Sequence, residues 1–207
     1  VEKTVNGTAE LSGQKYKTLE VNGFANFKDV TVEKFLELNG KSCMRECHLK
    51  KVKSNGNLEL VKSKVTEDFD VNGDCEIDES ELHGSCDMNG DVHLKKSTIH
   101  GDCTVCGSFK AEDTSFWNSL TVCSKKLTLR ACTTKDIYVL KSNSGVNIWK
   151  SFLKLFGWED KPKQEVKLID TEVQGDIDFD GQNGTVILIG KSSIAGKVIG
   201  GNVEERE

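Results

Sequence analysis

Proline is nearly missing from this chain, with Pro162 alone among 207 residues, and aromatic side chains make up only 7%. A core built from such a composition has to be filled by aliphatic and small side chains. No apolar run is long enough to cross a bilayer as a helix, and the sequence as given carries no signal peptide. Charge of one sign is also scarce. The formal net charge is −5 with both signs interleaved, so no basic stripe is available to a nucleic-acid backbone. Cys103-Thr-Val-Cys106 is followed by no second Cys-x-x-Cys pair and by no histidine at ligand spacing, which argues against structural zinc. It also lacks a thioredoxin-like surrounding pattern, which argues against redox catalysis.

What the chain has is a turn dipeptide at a fixed interval. Asn-Gly stands at Asn6-Gly7, Asn22-Gly23, Asn39-Gly40, Asn55-Gly56, Asn72-Gly73 and Asn89-Gly90, and the place passes to Cys106-Gly107 and Cys123-Ser124. The steps between successive second residues are 16, 17, 16, 17, 17, 17 and 17. A fixed period of this length predicts a solenoid. Glycine takes positive φ without a Cβ clash and asparagine tolerates left-handed or side-chain-bonded turns, so the dipeptide marks a corner. Stacked asparagine amides could then hydrogen-bond up the edge as a ladder. Asn6-Gly7-Thr8 and Asn183-Gly184-Thr185 match a glycosylation acceptor, but both lie in such corners and are read as coincidence.

Apolar columns stand four and two residues before the corner glycine (Leu36 and Leu38, Phe69 and Val71, Cys103 and Val105) and two and four after it (Leu58 and Leu60, Val92 and Leu94). A fifth column follows nine residues after it (Val65, Leu82, Ile99, Phe116), with small Ser63, Ser80, Ser97 and Thr114 two places earlier. Three short alternating segments per coil predict period-two strands with one buried face. The fold class expected is all-β: a single-stranded, triangular parallel β-helix of about 17 residues per coil and about ten coils, forming one domain over residues 1–207. Outward lines such as Asp29, Glu46, Lys62, Glu79, Lys96 and Asp113 mix charges and predict surface ion pairs of modest value. The acidic line Glu20, Glu37, Asp70 and Asp87 reads as a solvated face. After Ser124 the register slips by one, with Leu127, Leu129, Ile137 and Val139 inward. Excursions are expected at about 141–165 and 182–184, and the polar tail 202–207 is expected to fray.

The longer excursion is the one part the repeat does not explain. Trp149, Phe152, Leu153 and Phe156 fall at i, i+3, i+4 and i+7, predicting a short amphipathic helix over about 146–156 that Gly157 ends, with Trp158 beyond it. These five apolar residues either lie back on the rod or form an interaction surface for self-association or, more weakly, a membrane interface. Cysteines, eight in all, are mostly expected to be buried thiols. Cys106 and Cys123 stack at the corner within disulfide reach and are a candidate pair in an oxidising compartment. His83-Gly84 and His100-Gly101-Asp102 align at a second corner, with Trp117 nearby in repeat terms. A polysaccharide-cleaving wall would look like this, but the companion aspartates and a facing arginine or lysine are missing.

Val71-Asn-Gly-Asp-Cys75, Asn89-Gly-Asp-Val92, Ile99-His-Gly-Asp-Cys103, Val173-Gln-Gly-Asp-Ile177 and Ser193-Ile-Ala-Gly-Lys-Val198 resemble the repeat unit of the bactofilins, bacterial polymer-forming proteins. The resemblance spans most of the chain. It implies a right-handed β-helix and end-to-end association into nonpolar filaments without a nucleotide. The many cysteines, the aromatic insertion and the lack of a long tail ahead of the coils depart from that pattern. The expectation is therefore a non-enzymatic, self-associating structural or scaffold protein of bacterial origin, needing no cofactor. The alternative is a carbohydrate-binding or carbohydrate-cleaving β-helix acting through the wall near His83 and His100. An ice-binding rod is disfavoured because no outward Thr-x-Thr column recurs. The chain opens on Val1 with a corner by Gly7, as it would if a leader or some other preceding segment had been removed. Export to the periplasm or cell surface is the favoured location, with the bacterial cytoplasm as the alternative.

Overall fold

The computed structural model describes residues 1–140, 164–181 and 183–207. Among these residues every regular element is a β-strand, and 27 strands join in one continuous stack. Pairing between neighbouring coils is parallel throughout, as in Cys86↔Cys103, Val92↔Phe109 and Ile99↔Phe116. Each regular coil carries three strands. One such coil comprises Phe69–Asn72 on face A, Cys75–Asp78 on face B and the two-residue Glu81–Leu82 on face C. The inward columns expected from the sequence are the core: Phe27, Leu36, Leu60, Phe69, Ile77, Leu82 and Ile99 are all fully buried. The amphipathic helix, and with it Trp149, Phe152, Leu153, Phe156 and Trp158, lies outside the described residues.

Three features of the strand plan differ from the expectation. Face B carries eleven rungs, from Glu2–Ser12 to Gly201–Arg206, rather than about ten coils. The supposedly frayed tail is the last of them, pairing residue for residue with Gly184–Ile189. Polarity of side chains misled here, because a parallel edge is templated by backbone N–H and C=O groups, and Val203 still falls on the Val186 column. The longer excursion ends two residues early. Gln164 already begins the strand Gln164–Ile169, where its buried side chain donates from Nε2 to the Leu140 carbonyl at 2.7 Å. Gly184 likewise opens a strand rather than closing an excursion; a Cβ there, or at Gly201, would collide with the ring of Phe179.

Each corner has its own chemistry. At the first, Gly23 to Gly107 hold φ between 139° and 148°, and a Cβ on Gly40 would sit 2.1 Å from the Gly23 carbonyl oxygen. The amide ladder expected there is present: Asn22 donates to Asn6, Asn39 to Asn22, Asn55 to Asn39, Asn72 to Asn55 and Asn89 to Asn72, over 2.8–3.5 Å. At the second corner the mixed-charge line is a column of left-handed residues. Asp29, Glu46, Lys62, Glu79, Lys96, Asp113, Ala131 and Asp170 all have φ between 45° and 57°. The conformation costs about 1–2 kcal/mol per non-glycine residue. What holds it is on the next residue, where a small side chain turns inward. Ser63, Ser80 and Ser97 each donate to the carbonyl two residues back, while Ser80 and Ser97 accept the backbone N–H of Ser63 and Ser80 in the coil before. Thr171 does both for its own coil and Cys132.

Candidate functional site

The third corner follows face C. Leu82 and Ile99 are fully buried and in register, so the residues after them must leave the sheet at the same place one coil apart. His83 is fixed there by donating its backbone N–H to Val65, His100 to Leu82 and Trp117 to Ile99, at 2.8–2.9 Å. Gly84 and Gly101 come next and let the chain turn: a Cβ on Gly101 would lie 2.1 Å from the Gly84 oxygen. The backbone thus leaves the two imidazoles and the indole in one column.

Their side chains touch. The rings of His83 and His100 stack with centroids 4.2 Å apart and planes 9° from parallel. Trp117 tilts at 57° over His100, 4.4 Å away, and is 64% exposed. Glu81, on the strand before the corner, swings its carboxylate back so that Oε2 lies 3.2 Å from Nε2 of His83 and 3.1 Å from Nζ of Lys64. Those bonds, Lys64 first, hold the Glu81 carboxyl below the usual carboxylate range. Desolvation, and secondarily the His83 imidazole beside it, hold the His100 imidazole below its ordinary value. One ligand atom from each of Glu81, His83 and His100 lies within 4.8 Å of the others.

The sequence placed His83, His100 and Trp117 together, and the structure does so. Asp102, grouped with them, is exposed two residues past His100. Glu81 and Lys64 were missed. Their signal was there, since both occupy the outward place of face C, two residues before the corner column, in paired coils.

The other candidate groups lie elsewhere on the solenoid. Asp91 donates its backbone N–H to the Asp74 carboxylate at 3.2 Å, as Asp74 does to Asn57, so these aspartates cap a corner. Cys75, Cys86 and Cys103 are buried; desolvation pushes the Cys86 thiol up to about 12 and raises the other two further still. A thiol so raised has little thiolate at neutral pH, and thiolate is the reactive form. Cys106 and Cys123 are free thiols, half-buried where the asparagine ladder ends; desolvation, then the hydrogen bond to Cys106, pushes Cys123 up to about 12. No helix among the described residues is long and apolar enough to cross a membrane. The chain matches no family model, no curated protein and no solved structure.

Proposed function

We propose that the protein is a non-enzymatic structural rod that self-associates end to end. One observation carries this reading. Leu168, Val173, Ile177 and Val186 are fully buried, but the next residues up their columns are not: Leu188, Ile194 and Val198 are half-buried and Val203 is 47% exposed. Among the described residues, no further coil covers these apolar side chains, and the outer edge of the strand Gly201–Arg206 beside them pairs with no described strand. An apolar core end beside a free strand edge favours addition of another coil. A second copy supplies such a coil at no cost in new design, and repeated addition yields a filament. The bactofilin resemblance supports the same assembly and a triangular, right-handed winding.

Light scattering behind size exclusion, over a concentration series with negative-stain images of the same samples, tests it. Oligomers or filaments are expected, and they should be lost in the Ile194→Lys, Val198→Lys double variant. A strict monomer at every concentration would sink the reading. A second reading draws on Trp117, whose exposed ring on the histidine column is the platform a sugar ring would stack on. A glycan-binding screen in which Trp117→Ala abolishes a hit would favour it.

A further inference from the structure

We propose that Glu81, His83 and His100 form a binding site for a divalent transition-metal ion, zinc or copper, on the third corner of the solenoid. The inference stands independently of the rod reading. Two imidazole nitrogens and one carboxylate oxygen make a donor set suited to borderline metals rather than to calcium or magnesium, which prefer all-oxygen shells. Around a tetrahedral ion with bonds near 2.0–2.1 Å, ligand atoms stand roughly 3.3 Å apart. The Glu81–His83 pair is already at 3.2 Å, and all three atoms lie within 4.8 Å of one another, so modest turns of side chains at the surface close the set.

The site is built by the fold. Both histidine backbones are hydrogen-bonded into successive coils, which holds the side chains one coil apart, and the rings, stacked in the free protein, turn out of parallel about their side-chain torsions to aim both nitrogens at one ion. The site also contains its own competitor. Lys64 Nζ takes the same Glu81 oxygen that the metal would use. Binding must displace that ammonium, and the two imidazoles enter as neutral ligands. Water takes the remaining position, on the exposed side.

The test uses the full chain with zinc chloride or copper sulfate as the probe, reduced and free of chelator. Calorimetry should show saturable binding near one equivalent, and His83→Ala or His100→Ala should weaken it by roughly tenfold or more. Copper should quench Trp117; because Trp149 and Trp158 also fluoresce, that quench is read as the difference between the parent and Trp117→Phe. Lys64→Met should tighten binding severalfold, a gain that a misfolded variant cannot give. Circular dichroism of each variant controls for folding. Absence of saturable binding overturns the site, as does binding that survives His83→Ala, His100→Ala and disappears in Cys106→Ser, Cys123→Ser. Unchanged affinity in Lys64→Met removes Glu81 from the ligands and overturns the three-ligand site.

Discussion

Backbone conformation at single residues decides much of this rod's stability. Gly73 holds φ at 148° and a Cβ there would lie 2.4 Å from the Gly56 oxygen, so Gly73→Ala meets both a glycine-only conformation and a backbone collision. A loss of about 1–3 kcal/mol is expected from the strain of such a region alone, and the collision adds to it. Ala131 is the reverse case. It is exposed, with φ at 50°, and Ala131→Gly should raise stability by about 0.5–1 kcal/mol, as relief of the left-handed strain exceeds the added freedom of the unfolded chain. Urea denaturation of the two variants against the parent checks both signs. Protonation at the third corner has a sign too. The His100 pKa lies below its unfolded value, so the unfolded chain binds more protons as pH falls through the ordinary imidazole range. Stability should therefore be fully present above that range and decline as the solution is acidified through it. Proton NMR of the His100 ring should give a midpoint lower than that of a free histidine; a midpoint above it would overturn this sign.

At the scale of the element, two buried serines in the same core separate useful polarity from incidental polarity. Ser80 accepts the Ser63 backbone N–H at 3.0 Å and donates to the Asp78 carbonyl at 2.8 Å. Ser80→Ala orphans a buried donor and should cost about 1–3 kcal/mol. Ser54 occupies a face-A column between Leu38 and Val71, and its hydroxyl has no partner. Ser54→Ala should be neutral or stabilising by up to about 1 kcal/mol. Thermal melts of the pair would show the opposite signs. This contrast also shows what the sequence could and could not disclose. Strand register was legible because burial alternates every second residue and a glycine recurs every coil. The left-handed column was not, because Asp, Glu, Lys and Ala fill it; closure of the turn imposes φ there, and outward charge was all that could be read. Glu81 stayed hidden for a related reason. Its position two residues ahead of His83 was visible, but the swing of its carboxylate back onto the imidazole depends on a side-chain torsion.

At the scale of the molecule, contacts among the described residues run between neighbouring coils, so stability should add along one dimension. Deleting residues 73–89 joins Asn72 to Gly90, two residues that occupy the corner in successive coils, and leaves every column intact. The shortened chain should keep its β circular-dichroism spectrum, with a urea slope lower by about a tenth, in proportion to the surface it buries. Deleting only 73–80 breaks the register and should abolish the cooperative transition. The asparagine column has a further consequence, for chemical ageing. Deamidation at Asn-Gly begins when the glycine nitrogen attacks the asparagine side chain. In the stack that nitrogen is occupied: Gly40 donates to Asn55, Gly56 to Asn72 and Gly73 to Asn89, at 2.8–3.0 Å. A folded rod holds its amides intact, whereas a chain whose coils have opened gains a negative charge at each corner, in a column where stacked carboxylates repel. Each opening that lasts long enough is then recorded in the covalent structure and makes the next closure harder, so isoaspartate content measures how long a given rod has spent unwound.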